Sequence, residues 1–209
     1  MILNTEILVS FILATASLAL TPGPDNIFVL VQSISYGKRK GMAVVCGLIS
    51  GCLIHTSIVA FGLSSVIQSD AKLLLAFKLL GAVYMLYLAY STFKSDQVLL
   101  IEKQSSKGLT TGRLFRRGFV MNVINPKVSL FFMAFFPAFL FSKSLALPLH
   151  FYVLGFLFML ISFMIFTLLV VFCGLVASFF RKQTSFQNII KWIQIIVFLI
   201  IAAFILISS

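Results

Sequence analysis

Long apolar runs separated by short polar gaps dominate this chain. Six such runs lie at about residues 4–35, 42–67, 73–93, 118–141, 149–180 and 191–207. A membrane-spanning helix needs about 20 predominantly apolar residues, and the runs are close to or above that length. The pattern predicts an all-α integral membrane protein with six transmembrane helices.

Two of the six runs are interrupted by proline. Proline lacks a backbone donor and cannot continue a regular helix, and backbone groups freed at membrane depth must be buried in protein or line a cavity. Each interruption also carries an ionisable residue, which marks a candidate functional site within a membrane. We interpret both as halves of one substrate-binding site, formed by Pro22, Gly23, Pro24, Asp25, Asn26, Asn125, Pro126 and Lys127.

The interruptions divide the chain into two halves. Residues 1–93 and 118–209 would each hold three helices, and the basic stretch 94–117 would join them as a cytoplasmic linker. An odd number of helices per half makes the two halves cross the membrane in opposite directions. With an interrupted first helix in each half, this is the pattern of two inverted three-helix repeats in secondary transporters.

The basic residues predict an orientation. Twelve cations lie in the gaps after the first, third and fifth runs, against two or three in the remaining gaps. Cytoplasmic loops of membrane proteins carry an excess of Lys and Arg. The asymmetry therefore predicts that both termini lie outside the cytoplasm.

Composition agrees with a membrane protein. The chain is 61% hydrophobic and 10% charged, whereas soluble domains have about 25% charged residues. The net charge of +11 does not indicate nucleic-acid binding, because the basic residues sit in gaps where orientation signals are expected. Cys46, Cys52 and Cys173 lie inside apolar runs and are interpreted as packing residues, so neither a metal site nor a cofactor is implied.

The depth of the two ionisable residues favours a midplane site. Asp25 is 13 residues from Lys38, and Lys127 is 10 residues from Arg117, which is about 20 Å and about 15 Å along a helix. A zwitterionic amino acid would fit there, with Lys127 near its carboxylate and Asp25 near its ammonium. Two alternatives stay open: Asp25 and Lys127 pair with each other, or Lys127 extends to the cytoplasmic surface.

Two features of the second run have alternative interpretations. His55 would lie near mid-depth and could carry protons together with Asp25, because imidazole titrates near neutral pH; the alternative is a hydrogen bond to a neighbouring helix. Gly47 and Gly51 form a small-residue pair that permits a homodimer. The same pair serves packing within one chain equally well.

The absence of several motifs argues against some classes of function. The chain has no phosphate-binding Gly-x-x-x-x-Gly-Lys-[Ser/Thr] loop, which leaves an ion gradient as the common source of energy. No His-Glu-x-x-His or Gly-x-Ser-x-Gly motif occurs, so we do not expect an enzyme. A channel or a scaffold without transport activity remains open, although the repeat favours a carrier.

The motifs as a set resemble the lysine exporter (LysE/RhtB-type) family. The resemblance rests on Thr21-Pro-Gly-Pro-Asp-Asn26, the segment Gly81 to Leu88, and Asn122 to Lys127 followed by two phenylalanines. Residues 22–24 match the first family element, residues 125–127 match the second, and Asp25 matches threonine- and homoserine-type members. The resemblance implies a multi-pass exporter of the bacterial inner membrane, driven by the proton motive force.

From this resemblance we expect proton antiport of a neutral, homoserine- or threonine-like amino acid. The partners would be the amino acid, protons and the lipid bilayer. The alternatives are export of another small metabolite and a scaffold without transport activity.

Overall fold

The structure is a computed structural model that describes residues 5–21, 23–64, 71–94, 109–141, 145–175 and 184–207. No strand occurs in these ranges. Their α-helices are α1 Thr5–Leu20, α2 Pro24–Tyr36, α3 Lys38–Ser57, α4 Ala71–Lys94, α5 Thr111–Val123, α6 Pro126–Phe135, α7 Leu147–Val171 and α8 Thr184–Ile207. A π-helical segment, Ile58–Leu63, follows α3, and a 3₁₀ turn, Phe136–Phe139, follows α6.

The described helices fit an integral membrane protein. Two stretches, Lys38–Gly62 and Leu147–Val171, are long and apolar enough to cross a membrane. A third span results if the bent pair Ile7–Leu20 and Pro24–Tyr36, which meet at 59°, counts as one broken helix. The all-helical class and the first interruption are thus confirmed, whereas the six-helix inverted repeat stays a prediction.

Several helix bounds differ from the sequence prediction. Helix α5 begins at Thr111, inside the predicted linker 94–117, because the Thr110 hydroxyl caps it by accepting a hydrogen bond from Arg113 N at 3.4 Å. The last helix begins at Thr184 instead of Lys191, since its first turns are polar and the prediction followed hydrophobicity alone. Residues 95–108 of the linker lie outside the described ranges.

The turn between α2 and α3 is very short. Gly37 alone separates the two helices, with a φ of 87°, a backbone conformation that costs glycine little. Lys38, Arg39 and Lys40 already belong to the first turn of α3. The tight reversal packs α2 directly against α3, which holds the amino-terminal end of α2 near the second interruption.

A phenylalanine core surrounds α6. Its rings stack along one helix: the centroids of Phe131 and Phe135 are 4.4 Å apart, and those of Phe132 and Phe136 are 4.2 Å apart. Phe158 of α7 packs on Phe132 at 4.8 Å. Each aromatic pair contributes about 0.5–1.5 kcal/mol beyond its area burial. This core fixes α6, and with it the side chains at its amino-terminal end.

Glycines bring α3 and α5 into backbone contact. A Cβ atom on Gly47 would collide with the Phe115 carbonyl, one on Gly51 would lie 2.7 Å from Asn122 Oδ1, and one on Gly118 would collide with the Val44 carbonyl. The Gly47/Gly51 face is therefore occupied by α5 of the same chain. This is the packing alternative from the sequence, and the face is not open to a second copy.

The close approach of α3 and α5 predicts a contrast between two glycines of α5. Gly118→Ala should lower the free energy of unfolding by about 1–3 kcal/mol, because the new methyl group meets backbone that cannot move aside. Gly112→Ala should be neutral or stabilise by up to about 1 kcal/mol, because its Cβ enters open space. Thermal unfolding in detergent checks both variants, and equal melting temperatures would contradict this account of the packing.

Candidate functional site

The first interruption separates α1 from α2. Helix α1 ends at Leu20, where Thr21 N donates to the Ser17 carbonyl at 3.0 Å. Gly23 is extended, and α2 starts with Pro24 at its first helical position, which needs no backbone donor. Asp25 lies in the first turn of α2. Pro22, also predicted for the site, lies outside the described residues.

The second interruption has the same design. Helix α5 ends at Val123, and α6 starts with Pro126 at its first position. Asn125 caps α6, because its Oδ1 accepts a hydrogen bond from Lys127 N at 3.0 Å. The cap also fixes the orientation of the amide, since Oδ1 is committed to the backbone and Nδ2 must point away from it.

The two interruptions meet through a buried hydrogen bond. Asn125 Nδ2 donates to Asp25 Oδ2 at 2.7 Å. The two side chains are only 5% and 4% exposed, respectively. A hydrogen bond to a charged group is stronger than one between neutral groups. The hydrogen bond between Asn125 and Asp25 thus joins the two predicted halves of the site.

Lys127 caps the carboxyl-terminal end of α1. Its Nζ donates to the Leu18 carbonyl at 3.3 Å and to the Thr21 carbonyl at 3.2 Å. Cations are favourable at such a helix end, where carbonyls lack intrahelical partners. Gly23 allows the approach, since a Cβ there would lie 3.3 Å from Nζ. Lys127 thus caps a helix end and does not extend to the surface. It makes no hydrogen bond with Asp25, but the two opposite charges attract each other, so their pairing stays a prediction.

His55 caps the carboxyl-terminal end of α5 in the same way. Its Nε2 lies 3.1 Å from the Asn122 carbonyl, in the last turn of that helix. Asn26 adds another link, since its Nδ2 donates to the Ala19 carbonyl at 2.8 Å. Each broken helix is thus capped by a side chain from the other half of the chain. His55 makes the hydrogen bond that the sequence offered as the alternative, and its role in proton transfer stays a prediction.

A cavity of about 340 Å³ lies on one side of the joined interruptions. Its size falls within the usual range for small-molecule pockets. One wall comes from the interruptions themselves and the other from polar and aromatic side chains of α4. Its lining includes Thr21, Gly23, Pro24, Asn125, Pro126, Lys127, Tyr84, Tyr87, Ser91 and Thr92.

A much smaller cavity, of about 20 Å³, lies on the other side. It has room for about one water molecule. Three buried polar atoms on its lining side chains have no hydrogen-bond partner among the described residues: Asp25 Oδ1, Asn26 Oδ1 and Ser162 Oγ. Asn122 and Lys127 line this cavity too. Lys127 therefore contacts both cavities, whereas Asp25 and Asn26 line only the small one.

Sequence reasoning missed the residues of the cavity walls. Ser162 is a small polar residue within the apolar helix α7, and Asn122 lies one turn before the second interruption. A search for polar residues inside apolar runs would have found both. Ser91 and Thr92 of α4 gave no such signal, because they lie at the end of a run.

No group of three His, Cys, Asp or Glu side chains in the described part of the chain could hold a metal ion. The three cysteines are free thiols. Cys52 Sγ lies 3.7 Å from Asn122 Oδ1, within the α3–α5 contact. Cys52 and Cys173 are buried, whereas Cys46 is exposed.

Comparison with known proteins identifies the family of this chain. Residues 16–209 match the family described as LysE type translocator. The chain belongs to the LysE type translocator family. Members of this family are transporters, so this LysE-type chain is a transport protein and not an enzyme.

Curated relatives of the LysE-type chain include membrane proteins and efflux proteins. An uncharacterized membrane protein of Pseudomonas aeruginosa is 28% identical over 180 residues, covering 83% of this chain and 82% of that protein. The homoserine/homoserine lactone efflux protein of Salmonella typhimurium is 33% identical over 138 residues, or 63% of each chain. The leucine efflux protein of Salmonella choleraesuis is 27% identical over 131 residues, covering 63% of this chain and 62% of that protein. No solved structure matches significantly.

The double role of Asn125 predicts a pH-dependent difference between two variants. Asn125→Asp keeps the helix cap but faces Asp25 with a second acceptor, so near neutral pH it should lose about 1–3 kcal/mol of stability. As the pH falls, one carboxyl gains a proton and becomes a donor to the other. The loss relative to the unmodified protein should therefore shrink on acidification.

Asn125→Ala is the control, since it can neither cap α6 nor donate at any pH. Its loss of stability should shrink less on acidification, because protonation of Asp25 relieves the missing donor but cannot restore the cap of α6. Thermal unfolding in detergent from about pH 8 to about pH 5, where a shared proton would be gained, measures both. Parallel curves for the two variants would contradict the assigned hydrogen bond.

Proposed function

We propose that this chain exports amino acids from the cytoplasm across the bacterial inner membrane, in exchange for protons. The family supports transport, and two relatives are named for efflux of homoserine and of leucine. A neutral, homoserine- or threonine-like amino acid is the preferred substrate. The single observation that carries the proposal is the pair of interlocked helix interruptions, with a cavity of amino-acid size beside them.

The larger cavity is our candidate for the substrate. Lys127 Nζ has three N–H donors and two backbone acceptors. The third donor is available for the carboxylate of an amino acid. Hydroxyl groups at Ser91 and Thr92 line the facing wall, which favours a small polar substrate over a large apolar one.

Asp25 is our candidate for the proton step. It lines the small cavity and not the larger one, so the geometry favours a proton carrier over a direct contact with the substrate ammonium. Its Oδ2 accepts from Asn125, whereas Oδ1 is buried and lacks a donor. A proton on Oδ1 would turn an unpaired acceptor into a donor towards the acceptors Asn26 Oδ1 and Ser162 Oγ or a water between them.

His55 is the second candidate for the proton step. It is hydrogen-bonded to the Asn122 carbonyl. Asn122 also lines the small cavity that Asp25 faces. The imidazole therefore contacts a residue that lines the same cavity as Asp25. This contact supports a proton route from Asp25 through the cavity to His55.

The proposed architecture is two inverted repeats with both termini outside the cytoplasm. The support is positional. Each half starts with a helix broken at a proline, and equivalent helices contact each other, α3 with α7 and α4 with α8. The division into residues 1–93, 94–117 and 118–209 belongs to the same proposal. A homodimer would have to use a face other than Gly47/Gly51, which α5 covers.

The role of Asp25 predicts that Asp25→Asn uncouples transport from the pH gradient. Proteoliposomes with an acidic interior should accumulate external labelled homoserine or threonine, because protons leaving the vesicle drive the amino acid in. The variant should lose this accumulation at least tenfold, because its amide cannot carry a proton. It should keep exchange of labelled for unlabelled amino acid without a gradient. The new amide at position 25 can turn its oxygen towards Asn125 Nδ2 and so keep that hydrogen bond.

His55→Gln is the matched control, since glutamine keeps a donor for the Asn122 carbonyl but does not titrate. If this variant still accumulates substrate, Asp25 carries the proton without His55. An Asp25→Asn protein that still accumulates substrate against the gradient would contradict the proton role. A chain that leaks every amino acid and shows no exchange would indicate a pore.

A further inference from the structure

A wide groove of about 900 Å³ runs between α2 and α5 on the outside of the helical core. Its floor and walls are apolar. Ile27, Phe28 and Val31 come from α2, Val120 comes from α5, and Ile124 directly follows α5. Ile124 is 71% exposed and Val120 is 45% exposed, so the groove opens to the surroundings of the protein.

Three arginines stand at one end of this groove. Arg113, Arg116 and Arg117 line it from the first two turns of α5, and all three are exposed. No hydrogen bond or ion pair of their side chains occurs among the described residues. The groove thus combines an apolar trough with a cationic end.

The position of these arginines on α5 points to an anion. The amino-terminal end of a helix carries a partial positive charge, and cations there are unfavourable. Three guanidinium groups in the first two turns add to that charge instead of offsetting it. The cluster is therefore not explained by helix stability, and it creates a site of strongly positive potential.

We propose that this groove binds an anionic phospholipid, with its phosphate group among Arg113, Arg116 and Arg117 and an acyl chain along the apolar wall. Guanidinium groups bind phosphate oxygens in a bidentate way. Basic pockets between membrane helices on the cytoplasmic side are known to suit lipid head groups. The proposal goes beyond the proposed export function and does not depend on it.

The apolar wall distinguishes a lipid from other anions. Free phosphate would be held by the three arginines alone and would gain nothing from Ile27, Val31 or Ile124. Orientation of the chain in the membrane needs only charge in the loop, not a groove beside it. An apolar trough next to three arginines matches an amphiphile that has an acyl chain and an anionic head.

Native mass spectrometry of the full chain in detergent tests the proposal with three probes: phosphatidylglycerol, phosphatidylcholine and inorganic phosphate. Arg113→Gln/Arg116→Gln/Arg117→Gln should bind phosphatidylglycerol at least tenfold more weakly than the unmodified protein, since each basic contact to an anionic lipid contributes substantially. The matched control, Lys38→Gln/Arg39→Gln/Lys40→Gln, removes the same charge from the amino-terminal end of α3, away from the groove. It should change binding less than twofold.

Two further variants keep the test decisive if the triple variant does not fold. Arg113→Lys/Arg116→Lys/Arg117→Lys keeps the charge and loses the bidentate contact, so it should weaken binding severalfold. Val120→Trp fills the trough without changing charge and should weaken binding of phosphatidylglycerol but not of phosphate. Equal loss in both triple Gln variants, preference for phosphatidylcholine, or full competition by inorganic phosphate would overturn the proposal, as would displacement of the lipid by homoserine.

Discussion

Carbonyl groups exposed by a broken helix are the constraint on which this structure depends. In apolar surroundings such groups need partners, because water is not there to supply hydrogen bonds. Lys127 provides them for the end of α1, and His55 provides one for the end of α5. Each cap comes from the opposite half of the chain and adds to the local bonds that the Leu18 and Asn122 carbonyls accept from Thr21 N and Asn125 N.

The same constraint explains why charged residues lie between the cavities. A lysine and an aspartate inside an apolar protein are costly unless their hydrogen bonds are made. Here the lysine is held by backbone carbonyls, and the aspartate is held on one oxygen by Asn125. Lys127 lines both cavities, whereas Asp25 lines only the small one. In the proposed function, substrate and proton would be bound on opposite sides of one hydrogen-bonded link.

Much of this arrangement could be predicted from the sequence. Hydrophobic runs located the apolar helices, and proline with an ionisable residue located both interruptions, because those signals are local. Local patterns could not assign the hydrogen-bond partners of Asp25 and Lys127, which are Asn125 and the carbonyls at the end of α1. A substrate shared by Asp25 and Lys127 stays a prediction. Start positions such as Thr111 and Thr184 were missed because capping and polar first turns do not raise hydrophobicity. Ser91 and Ser162 needed the tertiary fold, which alone brings α4 and α7 beside the interruptions.

Substrate protection of a single cysteine at Ser91 tests the central claim most directly, namely that the substrate lies in the cavity between the joined interruptions and α4. Ser91→Cys and Val83→Cys would be made in a chain whose three native cysteines are alanine; Val83 lies on the same helix, is 62% exposed and does not line the cavity. Homoserine, threonine and leucine would each be tested for export and for slowing thiol labelling. The account predicts that an exported amino acid slows labelling at position 91 and leaves position 83 unchanged. Labelling at position 91 that ignores every exported amino acid would contradict it.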